Sequence, residues 1–269
     1  MIATIKKYMM PTGIFTGLFQ LTFPLALYLG FTSDAGLGWW FTALIAYALL
    51  YNMVGHNIGF HRCVMHGQLS VAKPIEWFFV WTGCMLMIGS PSSYTATHII
   101  HHKYPDTELD PHGPIRGLKS IWMYWHKTID LEETPIFSKR LVILFRKYNW
   151  IHVYYVPFTL ISALILYLIS YKVFLFLWFI PANMACWGIG WTVLIHHWGK
   201  QPLNSKQNTF TLIYEGLHLN HHLYPNAPNN AINPGEIDWT YQFSKIFFPK
   251  YNWRGQPNYD ESSKTITTQ

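Results

Sequence analysis

The sequence predicts an all-α integral membrane protein: four transmembrane helices in two hairpins, with a cytosolic helical cap. Three observations predict it. The 269 residues are 51% hydrophobic and only 12% charged, where a soluble domain is about a quarter charged. Four apolar runs are close to the roughly 20 residues that a spanning helix needs. And 18 of the 19 lysines and arginines fall in residues 1–12, 57–150 and 196–269, so that Lys172 alone marks the other side. That asymmetry is a positive-inside signal.

The spans are expected at about 13–29, 39–56, 151–170 and 173–195, with short turns inside each pair. The first run follows Lys6 and Lys7 and has no small-residue cleavage site, so it is read as a span and not as a signal peptide. A fifth apolar run, about 75–88, is shorter than a span and is expected as an interfacial or re-entrant helix on the cytosolic side. Were it to span, His61 and His98 would face opposite sides of the bilayer. Residues 91–150 and 196–258 form the cap, and 259–269 reads as a disordered tail, giving one domain over 1–258.

The formal charge of +6 is assigned to the cytosolic face of a membrane protein and not to nucleic-acid binding. Cys63, Cys84 and Cys186 make no CxxC pair and no disulfide framework, in keeping with a reduced compartment.

The chemistry lies in 14 histidines. "HIIHH" places His98, His101 and His102 at i, i+3 and i+4, and "HLNHH" repeats the spacing with His218, His221 and His222. On a helix those offsets share a face. Neutral imidazoles gathered this way suit iron, zinc, copper or nickel. In "GHNIGFHRCVMHG", His56, His61 and His66 stand five apart. α-Helix geometry does not choose among them, since both steps turn about 140°.

Together these motifs resemble the membrane fatty acid desaturases, whose three histidine boxes surround a non-haem di-iron centre, and most of all the acyl-CoA, delta-9-like branch. "GFHRCVMH" resembles the first box, GxHRxxxH; "HIIHHKYPDTELDPH" the second; "EGLHLNHHLYP" the third. The first-box form selects His61 and His66, with Gly59 before and Arg62 after. His56, about 7 Å deeper along the axis, becomes a polar residue at the end of the second span. "HHWG" supplies a further family ligand, and the Gly199 register selects His196 over His197.

The resemblance implies nine ligands for two Fe ions: His61, His66, His98, His101, His102, His196, His218, His221 and His222. Beside them Asp106, Asp110, His112, Thr192 and Glu215 are expected to orient the ligands or to support them through a hydrogen bond. His126 and His152 read as interfacial or structural. Three positions depart from the family pattern. Ile99 stands for an arginine, Ala96-Thr97 for an Arg-Asp pair that helps hold the CoA carrier, and Thr192 for an asparagine. They leave the carrier open among acyl-CoA, acyl carrier protein and a lipid-linked chain.

The implied reaction is desaturation of a long-chain acyl group with O2 and two electrons from a separate ferredoxin or small haem cytochrome. Trp39, Trp40, Trp187 and Trp191 are either walls of an acyl tunnel or packing residues. The nearest alternative is a di-iron fatty acid or alkane hydroxylase. A haem-carrying membrane cytochrome would need facing histidine pairs within the spans, and a transporter would need polar groups at the midplane, where only Asn183 is an obvious one. The expected protein is multi-pass, with both termini and the active site cytosolic.

Overall fold

In the computed structural model, residues 1–111, 113–122, 139–195, 216–248, 258–260 and 265–267 are described. They are helical almost throughout. α1 is Ile2–Leu21 and α2 is Phe23–Phe31, meeting at Thr22 with a bend of 41°. Pro24 follows that break, where its missing N–H costs nothing. α3 is one helix of 29 residues, Leu37–Met65. α4 is Lys73–Met85 and α5 is Pro91–Lys103. A 3₁₀ segment follows at Pro114–Ile121. α6, Lys139–Val153, and α7, Tyr155–Ile169, meet at a bend of 64°. Tyr171–Val173, Phe174–Phe179 and Ile180–Ile195 run on as α8. Two short helices, α9 (His218–Leu223) and α10 (Trp239–Phe247), complete the set.

Two helices are long and apolar enough to cross a membrane unbroken: Leu37–Met65 and Tyr171–Thr192. The expected first and third spans are instead bent pairs, α1 with α2 and α6 with α7, and four crossings result only if each pair counts as one.

The helix that carries the expected second span is longer than that span. α3 continues past His56 to Met65, and from Ala46 onward it opens into the wider form bonded from residue i+5. The 140° step between histidines therefore does not apply here. Bonding at i+5 lessens the turn between residues five apart, and the rings of His56 and His61 are 6.4 Å apart, those of His61 and His66 4.7 Å. Arg140 on α6 caps this helix, donating to the carbonyls of Cys63 and Val64, each at 2.7 Å. The cation thus satisfies carbonyls that the helix end leaves open, at its negative pole. The chain leaves through Gly67 at φ +65°, and a Cβ there would stand 3.1 Å from the Arg140 guanidinium.

The fifth apolar run, expected as an interfacial or re-entrant helix, packs along α3 as α4, Lys73–Met85. α4 runs back along α3, with Gly55 against Thr82 and Gly59 against Phe79. The chain then turns through residues 85–90, all buried, with Met87 and Gly89 at positive φ. A buried turn must have its backbone groups satisfied. Trp178 Nε1 donates to Met85 O at 2.9 Å, Tyr155 Oη donates to Cys84 O at 3.1 Å, and the same hydroxyl accepts from Gly89 N at 3.2 Å. α5 then returns beside α3. A similar repair occurs in α8. Pro181 has no N–H for the Leu177 carbonyl four residues earlier, and the buried Tyr51 hydroxyl donates to that oxygen at 2.9 Å.

Two three-residue strands, Asn258–Asp260 (β1) and Thr265–Thr267 (β2), pair antiparallel, with Tyr259 opposite Ile266. They lie in the segment that composition reads as a structureless tail.

Candidate metal centre

α3 brings His61 and His66 to the centre, α5 brings His98, His101 and His102, and α9 brings His218, His221 and His222. α5 starts on a capping box: Ser93 N donates to Ser90 Oγ at 3.1 Å and Ser90 N to Ser93 Oγ at 2.8 Å, with Pro91 as the first helical residue. His152 joins three helices. Its Nδ1 is 2.7 Å from Ser90 Oγ and its Nε2 is 3.1 Å from the Ile5 carbonyl, which ties α5 and α6 to α1.

The eight histidines form two groups, in each of which one ring nitrogen per residue lies within 4.8 Å of the others. The first holds His61, His66, His98, His102 and His221; the second holds His101, His218 and His222. Each HxxHH motif therefore divides. Its i and i+4 members go to one group and its i+3 member to the other, His101 from α5 and His221 from α9. Helix geometry explains the split, since i and i+4 differ by about 40° while i+3 lies about 100° from i+4.

Distances within the groups fit metal coordination. In the first, Nε2 of His61 is 3.0 Å from that of His221, His221 is 3.1 Å from His102, His102 is 3.0 Å from His98, and His98 is 3.4 Å from His66. For metal–nitrogen bonds of roughly 2.1 Å, ligands at right angles stand about 3.0 Å apart and tetrahedral ones about 3.4 Å. In the second group Nε2 of His101, His218 and His222 form a triangle with sides of 3.1, 2.9 and 2.9 Å. Each Nε2 either carries a proton or offers a lone pair. A ring of three cannot alternate the two roles, so at least one side is repulsive unless a cation sits among the nitrogens.

Burial and the mutual proximity of the rings favour the neutral form of four of them. Desolvation first, then the neighbouring imidazoles, hold His98, His102 and His221 well below the ordinary histidine pKa. His222 is lowered to about 3 by burial, then by His101 and His61, against an opposing pull from Asp110 and Asp106. Neutral imidazoles are the ligating form.

Asp110, fully buried, accepts from His101 Nδ1 at 2.9 Å and from Asp106 N at 2.8 Å. The carboxylate fixes the proton on Nδ1 and aims the Nε2 lone pair into the second group. Asp106 adopts φ 61° to make that turn. Thr192 behaves otherwise: its hydroxyl donates to Gly188 O, 2.9 Å away in its own helix. His112, His126, His196, His197 and Glu215 lie outside the described residues. His221 Nδ1 is buried and has no hydrogen-bond partner among the described residues.

Several supporting residues carried no signal beyond a motif letter. Arg62, between the first-box histidines, is 2% exposed and donates to both carboxylate oxygens of Asp238, at 3.0 and 2.9 Å, and to Pro228 O at 2.7 Å. Asp238 also caps α10, accepting from Tyr241 N at 3.0 Å. Asn220, inside "HLNHH", donates to Asn230 O and to Glu236 Oε2, each at 2.8 Å. Gln68 Nε2 donates to Pro225 O at 2.9 Å. These bonds fasten the third-box loop onto α3. Their partners are more than 150 residues apart for Arg62–Asp238 and Gln68–Pro225, so no local pattern announces them.

A cleft of about 440 Å³ opens between α2, α3 and α8, lined by Phe23, Tyr47, Met184, Trp187, Gly188 and Trp191. Of the four tryptophans considered as tunnel walls, Trp187 and Trp191 line it. Trp39 and Trp40 pack on Phe176, at 5.9 and 5.1 Å between centroids.

Helices that gather two sets of imidazoles able to hold metal, two of them long and apolar enough to cross a membrane, define the class. The particular family follows from comparison. The fatty acid desaturase model matches residues 37–234, and the chain belongs to that family, whose members are oxidoreductases. It is 28% identical over 227 residues to an acyl-CoA C20 Delta5-desaturase of Anemone leveillei, covering 77% of this chain and 71% of the relative. It is 26% identical over 233 residues to a palmitoyl-monogalactosyldiacylglycerol delta-7 desaturase, chloroplastic, of Arabidopsis thaliana, covering 77% and 60%. An sn-2 palmitoyl-lipid 9-desaturase of Nostoc sp. (strain 36) is 25% identical over 207 residues, covering 71% and 72%.

Proposed function

We propose that this chain is a membrane-bound non-haem di-iron fatty acyl desaturase. It inserts a cis double bond, delta-9-like in position, into a long-chain acyl group, using O2 and two electrons from a separate ferredoxin or small haem cytochrome. The observation that carries the metal reading is the His101–His218–His222 triangle, whose mutual repulsion a cation at its centre would relieve.

His61, His66, His98, His102 and His221 would hold one iron; His101, His218 and His222, with His196, the other. Iron there supplies the oxidant that an unactivated methylene C–H bond demands and that side chains cannot provide. The rest falls to the protein. Asp110 orients His101, and Arg62 with Asp238 sets the third-box loop against α3. The cleft lined by Tyr47, Trp187 and Trp191 seats the apolar chain. The basic residues attract an acidic electron donor, and with the two bent pairs crossing as single spans the termini and metal groups share the cytosolic face. Five apolar residues in the cleft lining, against the hydroxyl of Tyr47, suit an acyl tail.

Expression in a host with a simple fatty acid profile tests this. A new cis-monoene is expected, lighter than its precursor by two hydrogens. A product heavier by one oxygen would replace desaturation with hydroxylation. His101→Ala and His221→Ala should each abolish the product while the protein still accumulates.

A further inference from the structure

His56 is left aside by both metal groups, although it stands on α3 next to His61. Its ring centroid is 6.4 Å from that of His61, with the planes 26° apart. Its nitrogens are engaged elsewhere. Nδ1 is 2.9 Å from Asn57 Oδ1, an atom that only accepts, so this nitrogen carries the proton. Asn57 is oriented by its own donation from Nδ2 to Thr240 Oγ1 at 3.5 Å. Nε2 of His56 is then the lone pair, and the Tyr94 hydroxyl donates to it at 3.2 Å. Tyr94 is buried on α5, one turn before His98, and the two rings are parallel within 11° at 5.5 Å. The lone pair that could make His56 a further ligand is thus spent on a phenol standing against a ligand of the first group.

We propose that Tyr94 is a positioning residue: by donating to His56 Nε2 it holds a third imidazole out of the five-histidine group and so fixes which two histidines of α3 bind metal. This rests on the metal reading above. It assigns a role to the residue that α-helix geometry could not separate from its neighbours. Tyr94→Phe keeps the ring against His98 and frees the His56 lone pair. His56→Gln keeps an acceptor for Tyr94 and removes the imidazole.

The test loads wild type, Tyr94→Phe, His56→Gln and the double variant with ⁵⁷Fe, then records iron per chain, the Mössbauer spectrum, kcat and KM. Wild type and His56→Gln are expected to share one spectrum and one iron content. Tyr94→Phe should change the spectrum and lower kcat about tenfold with KM unchanged, in the range typical of residues that orient ligands. The double variant should return to the His56→Gln spectrum, which a merely structural role for Tyr94 would not produce. A Tyr94→Phe spectrum equal to wild type, a change that persists in the double variant, or loss of iron in His56→Gln would each overturn the proposal. If Tyr94→Phe fails to accumulate, His56→Gln still decides, because iron loss there makes His56 a ligand. Wild type free of iron would instead overturn the metal reading, and this proposal with it.

Discussion

Arg62 and Asp238 form a two-pronged ion pair, 2% and 5% exposed, that joins the helix of the first histidine box to the loop after the third. Removing one member leaves a buried charge alone, which costs about 3–5 kcal/mol. Arg62→Ala and Asp238→Asn should each lower the unfolding midpoint in detergent, and metal content should fall with it. Arg62→Lys should not rescue, because Nη2 serves the carboxylate while Nη1 donates to Pro228 O, and one ammonium does not reproduce that planar fork.

Asp110→Asn should separate charge from shape at the second group. The amide can still face His101 Nδ1, but the carboxylate that polarises the ring is gone. Iron affinity or turnover should drop roughly 10–100-fold, read by iron titration and by product formation. Unchanged values would mean that Asp110 only holds the turn at Asp106.

Gly190 on α8 has no room for a side chain: a Cβ would sit 2.3 Å from the Ile121 carbonyl, at the end of the 3₁₀ segment. Gly190→Ala should destabilise by about 1–3 kcal/mol through overpacking, measured by thermal unfolding. The five-histidine group, carried by α3, α5 and α9, should keep its iron.

Acid should weaken the metal-free protein in a defined window. His222 is lowered in the fold to about 3 from the ordinary histidine value of 6.5. Below pH 6.5 the unfolded chain takes up a proton that the folded one refuses, so stability is lost as pH falls from 6.5 towards 3. Above about pH 7 both states are neutral and the contribution is flat. Unfolding midpoints of chelated protein across this range should show the decline, and His222→Gln should reduce its slope.

The helical membrane class was legible because long apolar runs and one-sided lysines and arginines report transfer free energies directly. The histidine spacing exposed the ligand candidates for the same local reason: i, i+3 and i+4 meet on any helix. The division of each box between two groups was not legible, because it depends on how α5 and α9 face each other. Nor was the widened part of α3, which carries His56, His61 and His66, or the return of α4 along α3, which rests on Gly55 and Gly59 meeting Thr82 and Phe79. Arg62–Asp238 and Asn220–Glu236 are visible only once the chain has folded.

Iron per chain, measured by mass spectrometry on purified wild type, His218→Ala and His98→Ala, tests the central claim most directly. Two irons in wild type and about one in each variant, with a different Mössbauer site lost in each, is the predicted result. Wild type without iron, or both variants losing the same site, would contradict two separate histidine-held irons.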